Sequence, residues 1–152
     1  MKNIYLKISI ISLLFSFSFV NAQSVPLNRY YSFSTYKHIY TTNEAPPNSR
    51  FEGVLCYLGG TGTSTSVTIF LLIKPSNGDR LMTTSVEEKN NALSIYGYID
   101  GGIVGNTHNA PAVIQTVYRY NNPSAGDHFY TNNYNELGSG KYGYVYEQTL
   151  NW

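Results

Sequence analysis

The sequence predicts an all-β fold, β-trefoil-like, built from three pseudo-symmetric four-stranded repeats, with a small β-barrel or sandwich as the alternative architecture. Three observations carry this reading. Arg29-Tyr30-Tyr31-Ser32 through His38-Ile39-Tyr40-Thr41 returns as Arg119-Tyr120-Asn121-Asn122 through His128-Phe129-Tyr130-Thr131 at a constant offset of 90 residues. An eroded copy lies between them, where Lys74-Pro75-Ser76-Asn77-Gly78-Asp79 mirrors Asn122-Pro123-Ser124-Ala125-Gly126-Asp127 at an offset of 48. Strand and turn signals alternate along each copy, and helix signals are nearly absent. The units run over 25–58, 67–105 and 115–152. A repeat of about 40 residues cannot close a core alone, so the three are expected to share one.

The first 22 residues read as an export signal rather than as part of the fold. Lys2 and Lys7 precede an apolar run from Ile8 to Val20, and Val20-Asn21-Ala22 fits a small-residue cleavage site. That run is shorter than the roughly 20 apolar residues a membrane-spanning helix needs. Residues 23–152 are therefore expected to form a single secreted domain, extracellular or periplasmic, with no membrane span in the mature form.

In the first unit, Arg29–Ser32 and His38–Thr41 are short strands, and Phe51-Glu52-Gly53-Val54-Leu55-Cys56-Tyr57 supplies the rest of the sheet. The Gly, Thr and Ser residues of Gly59–Ser66 mark a long surface loop. In the second unit, Val86–Ala92 is expected to carry one helical turn, with Ser85 as cap and Glu88 at the third position. Ile99–Val104 matches Tyr146–Asn151, which puts Asp100 in the position of Glu147. In the third unit, Val117–Tyr120 is rich in β-branched and aromatic residues, and Asn121–Asp127 is a turn cluster set by Pro and Gly. His128–Thr131 follows as a strand, Tyr134–Leu137 as a helical turn, and Tyr142–Glu147 with Thr149–Trp152 as the last two strands.

Composition narrows the function. With Lys2 and Lys7 removed, eight basic residues remain against nine acidic ones, too balanced for the basic field that nucleic-acid binding needs. Charged residues are only 12% of the chain, about half the usual share, and 15 Tyr with many Asn, Ser, Thr and Gly take their place. Such a surface suits a face that binds polyols and equally an ordinary secreted β-domain. Cys56 is the only cysteine, so no intramolecular disulfide forms, and its strand context points to a half-buried, inert thiol.

At Tyr118-Arg119-Tyr120-Asn121-Asn122, Gly126-Asp127-His128-Phe129-Tyr130-Thr131 and Phe51-Glu52-Gly53, the chain resembles a secreted, tyrosine-rich bacterial repeat domain of unknown function. The resemblance covers nearly all of residues 23–152 and implies export and a repeated β-fold, with no defined activity. The middle unit departs from it, with Arg80, Leu81 and Met82 where His-Phe-Tyr stands elsewhere. The Gln-x-Trp signature of ricin-type lectins is absent, since Leu150 stands two residues after Gln148.

Two constellations could carry chemistry. Arg29 with Glu52, and Arg119 with Glu147, read either as carboxylates for glycoside hydrolysis or as structural pairs tethering two strands of one unit. The second reading is preferred, because equivalent positions of pseudo-symmetric units do not converge on one bond. The middle unit has Leu71 at the arginine position. The turn sites are the candidate ligand contacts: Tyr36, His38 and Tyr40 in the first unit, Asp79 in the second, and Asp127, His128 and Tyr130 in the third. An Asp, a His and a ring at a loop exit can hydrogen-bond sugar hydroxyls and stack on the sugar face, or can serve as turn cap and packing. His108 reads as solvated. No metal or cofactor is expected, because the histidines lack ligand spacing, and no Gly-x-Ser-x-Gly elbow marks a hydrolase. The expected function is a non-enzymatic module that binds glycan through the repeated turns. The alternative is a protein-interaction, adhesion or inhibitor module using loops Gly59–Ser66 and Ile103–Ile114.

Overall fold

Each of the three units folds as an antiparallel sheet whose first strand lies in the middle. In the computed structural model, which describes residues 24–59, 66–108 and 114–152, the first sheet holds β1 (Val25–Ser32), β2 (Lys37–Thr41) and β3 (Ser49–Leu58) in the order β2-β1-β3. The second holds β4 (Thr68–Ile73), β5 (Arg80–Thr83) and β6 (Ile99–Asn106) in the order β5-β4-β6, with α1 (Val86–Ser94) between β5 and β6. The third repeats it with β7 (Thr116–Asn122), β8 (Asp127–Thr131) and β9 (Val145–Asn151), in the order β8-β7-β9. The protein is mostly β, as expected. The expected export segment and residues 60–65 of the long loop lie outside the described residues.

Two expectations are corrected. The described residues hold three strands per unit instead of four, and the three sheets do not close into a barrel. The strand count fails for a local reason: the expected third and fourth strands of each unit are one bulged strand. In β3, Arg29 stands opposite Gly53 and Tyr30 opposite Phe51, which leaves Glu52 as the extra residue. In β9, Gln148 opposes Arg119 and Tyr146 opposes Tyr120, which leaves Glu147. In β6 the bulge holds Gly101 and Gly102, since Phe70 pairs with Ile103 and Leu72 with Asp100. Residues 142–144, expected in a strand, are a turn with Tyr142 at φ 55° and Gly143 at φ 84°.

One core joins the units. Leu27, Ile69 and Val117 occupy equivalent places on the three middle strands, and Tyr40, Met82 and Tyr130 do so on the strands after them. Leu55, Cys56, Leu58 and Trp152 complete the cluster. Burial pushes the Cys56 thiol up to about 12, which makes it inert at neutral pH. Helix α1 starts where Ser85 Oγ accepts the Glu88 N–H, and it runs further than the single turn expected. It buries Ala92 against Leu72, Leu81 and Tyr98.

Tyrosine hydroxyls stitch the units at the core. Tyr40 Oη accepts the Tyr130 N–H at 2.7 Å, and Tyr130 Oη accepts the Met82 N–H at 2.6 Å while donating to the Met82 carbonyl at 3.0 Å. The first unit thus holds the third, and the third holds the second. At the remaining seam the tyrosine position is Met82, which has no hydroxyl. Tyr130→Phe strands two buried backbone groups, so urea unfolding should show a loss of about 1–3 kcal/mol. A change below the error of the fit would contradict this role.

Candidate functional site

The candidate turn residues lie between units, not at open loop exits. His38 Nδ1 meets Asp127 Oδ2 at 2.7 Å, and the His38 N–H reaches Asp127 Oδ1 at 3.3 Å. The next seam repeats this: His128 Nδ1 meets Asp79 Oδ2 at 2.7 Å, and the His128 N–H reaches Asp79 Oδ1 at 2.7 Å. Tyr144 Oη donates to Asp127 at 2.6 Å and Tyr98 Oη to Asp79 at 2.5 Å. Tyr40, Asp79, Asp127, His128 and Tyr130 are buried and His38 half-buried, with their polar atoms engaged across seams. Tyr36 alone of the seven stands in solvent, 71% exposed in the β1–β2 turn. Six of the seven residues expected to touch ligand therefore carry bonds that join the units.

The arginines extend each seam. Arg119 Nε bonds Glu147 of its own unit at 2.8 Å, and its two terminal nitrogens grip Glu88 of the second unit at 3.0 and 2.6 Å. Gln148, with its amide oxygen turned to the guanidinium, accepts at 2.8 Å. Arg29 grips Glu136 of the third unit at 3.1 and 2.9 Å and lies over the Phe129 ring. Its Nε stands 3.3 Å from Glu52 Oε2, an ion pair without hydrogen-bond alignment. The bulges explain these geometries, because Glu52 and Glu147 are the extra residues that face the arginine across the bulge. The structure places both expected own-unit pairs and adds Glu88 and Glu136, which the sequence analysis did not connect. Glu88 had been read as a capping residue; its carboxylate crosses to Arg119 instead.

The third seam has none of this. Leu71 replaces the arginine, and Gly101 takes the bulge position that holds glutamate elsewhere; a Cβ there would stand 2.9 Å from Leu71 Cγ. Asp100, expected in the acid's place, turns outward to Lys89 at 3.0 Å. Lys37 replaces the aspartate and donates to the Ala125 carbonyl.

Burial alone would raise the Asp79 carboxyl, but hydrogen bonds from His128 and Tyr98 hold it below the usual range. Burial likewise opposes ionisation of Glu88 and Glu136, and bonds from Arg119 with Thr83, and from Arg29 with Thr131, outweigh it. Burial and the bond to an aspartate push the Tyr98 and Tyr144 hydroxyls up.

One recess opens beside this network, at the seam of the second and third units. Its volume is about 330 Å³. His128, Arg119 and Glu147 form its base, Leu81 and Ala92 an apolar wall, and Lys74, Asn121 and Tyr96 its mouth. Among the described residues the Asn121 amide and the Tyr96 hydroxyl have no partner, and the Lys74 ammonium rests over the Tyr98 ring at 5.3 Å. Tyr96 is 59% exposed. Two further grooves lie along the arginine network, one of about 420 Å³ at the seam of the first and third units beside Arg29, Asn132 and Asn133, and one of about 470 Å³ beside Thr84, Asn91 and Gln148. The loop that carries Tyr96 is itself repeated: Tyr96-Gly97-Tyr98 returns as Tyr142-Gly143-Tyr144 at an offset of 46. Each copy carries one exposed tyrosine, a left-handed glycine, and one tyrosine bonded to an aspartate.

His108 is half-buried beside Gly59 instead of freely solvated. Among the described residues no cluster of three or more His, Cys, Asp and Glu is disposed to hold a metal, and no helix is long and apolar enough to cross a membrane.

The model of a domain of unknown function, DUF5648, matches residues 13–103 and again residues 48–151. The chain belongs to that family. The two matches overlap on 48–103, which covers all but the last two residues of the middle unit. No curated protein and no solved structure matches the chain.

Acid should loosen the seams. Asp79, Glu88 and Glu136 titrate below their ordinary values, so the folded state binds fewer protons than the unfolded one. Their contribution is complete above the ordinary carboxyl range of about pH 4 and is lost as pH falls through the lower folded values. Melting temperature should drop between pH 5 and pH 2, roughly, and less steeply for Asp79→Asn. A flat or rising profile would contradict the assignment. Arg119→Leu leaves Glu88 and Glu147 unpaired and should cost about 1–3 kcal/mol, less than a fully buried pair because both acids are partly exposed. Adding Glu147→Gly, which copies the Leu71–Gly101 arrangement, should recover part of that loss.

Proposed function

We propose that this DUF5648 member is a secreted, non-enzymatic module that binds glycan, with its contact surface at the recess between the second and third units. The secretion reading rests on the Lys2–Ala22 segment. The single observation that carries the binding reading is the unmatched recess. At the seam of the first and third units, Tyr31 and Phe129 stand where Asn121 and Leu81 stand here, and their rings pack on His38 at 5.4 and 4.7 Å. The same scaffold is therefore filled at one seam and left open at the other. What lines the opening is an unpartnered amide, an ammonium, a phenol and an exposed ring, the set that meets hydroxyls and a sugar face.

Catalysis fits less well. Each His–carboxylate chain occurs twice, and in both copies its atoms are engaged in holding units together. A protein partner is the second reading, favoured by Ile99 and Ile103, which are 54% and 66% exposed on edge strand β6.

Co-sedimentation with insoluble polysaccharides and a glycan array tests the proposal. The full chain should be retained on at least one glycan, and Tyr96→Ala should weaken retention roughly tenfold, as loss of a stacking ring typically does, at an unchanged melting temperature. Silence on both platforms, or retention that Tyr96→Ala leaves intact, would overturn it. Weakening by Ile103→Ser but not by Tyr96→Ala would favour the β6 surface.

A further inference from the structure

The recess is amphipathic in a way that a plain hexose does not use. Leu81, 5% exposed with Ala92 sealed behind it, gives it an apolar contact, and Asn121 offers an unpartnered amide at its mouth beside the Lys74 ammonium, which rests over the Tyr98 ring. A hexose presents hydroxyls around its whole rim, and seating one against Leu81 would strand a hydroxyl without a partner. An acetamido substituent has the matching halves. Its methyl is apolar, its carbonyl accepts from an ammonium or an amide N–H, and its N–H donates to an amide oxygen.

Resting on the glycan reading above, we infer that the recess selects a sugar residue bearing an N-acetyl group, with the methyl against Leu81, the amide against Asn121 and Lys74, and the pyranose face on Tyr96. The volume of about 330 Å³ suits one such residue, at the lower end of small-molecule pockets. Glu147 and Glu88 are both tied to Arg119, and Lys74 at the mouth balances the second carboxylate, so the lining carries no net formal charge and the ligand needs none. The sister seam supplies the control: Leu81→Phe and Asn121→Tyr each install the side chain that the equivalent position already carries.

Isothermal titration with chitotriose and with cellotriose tests this, since the two differ by acetamido against hydroxyl on the same linkage. Chitotriose should bind roughly tenfold or more tightly over cellotriose, the discrimination expected when a site built for an amide meets a ligand lacking it. Leu81→Phe should abolish chitotriose binding while the melting temperature stays near that of the parent. If Leu81→Phe fails to fold, Asn121→Ala, at a half-buried position on the mouth, should still lower chitotriose affinity and leave the fold intact. Equal affinity for the two trisaccharides, or retention on polysaccharide without chitotriose binding, overturns the N-acetyl inference and leaves the glycan reading standing. Undiminished chitotriose binding by folded Leu81→Phe and Asn121→Ala overturns the placement in the recess. No binding to any glycan overturns both.

Discussion

The structure depends on side chains of one unit completing the backbone and charges of the next. A three-stranded sheet with one apolar face is too small to stand by itself, and its second strand, at the sheet edge, presents N–H and C=O groups that nothing in the unit can satisfy. Tyr40 and Tyr130 supply the missing partners through single hydroxyls that act as both acceptor and donor. His38 and His128 do the same toward an aspartate, and Arg29 and Arg119 toward a glutamate. Because each bond crosses a seam, a unit that loses its neighbour loses its polar satisfaction as well as its core. This is the physical reason for the motif's repetition, and it accounts for six of the seven residues that the sequence analysis had assigned to ligand.

The bonds run one way, from the first unit to the third and from the third to the second. A closed ring would need the second unit to grip the first, and its substitutions all remove that capacity together: Leu71 for arginine, Arg80 for histidine, Met82 for tyrosine, Gly101 for glutamate. Leu71 and Gly101 are a matched exchange, since the leucine covers the space that a side chain at 101 would need. Among the described residues the third seam thus lacks the side-chain bonds of the other two and is held by packing and by the Gly59 N–H donating to the Asn106 carbonyl. The asymmetry also separates the two polar seams. Tyr31 and Phe129 fill the place beside His38, whereas Asn121 and Leu81 leave the equivalent place beside His128 open.

Repetition made much of this legible in the sequence. Offsets of 90 and 48 located the units, the hairpins and the shared core, and the Ser85 cap located α1. The strand count was not legible, because a bulge at Glu52, Glu147 or Gly101 interrupts the alternation just as a strand end does. Nor was the destination of Asp127 and His128. Strand periodicity shows that His128 and Tyr130 share a face, but it does not tell a face turned to solvent from one turned to another unit. Glu88 and Glu136 lie beyond the repeated motifs and meet their arginines only through the packing of units. The recess escaped notice because its signal is a difference between copies, Asn121 against Tyr31 and Leu81 against Phe129, rather than a likeness.

The central claim is that the repeated motif binds unit to unit. Native-state amide hydrogen exchange tests it most directly, by comparing three equivalent amides. The Tyr130 and Met82 N–H groups each bond a tyrosine hydroxyl of the neighbouring unit, and the equivalent Tyr40 N–H belongs to the seam whose tyrosine position is Met82. The account predicts that Tyr130 and Met82 exchange only through global unfolding, and Tyr40 faster, by local opening of the third seam. Equal protection at all three, or rapid exchange at Tyr130 and Met82, would contradict it.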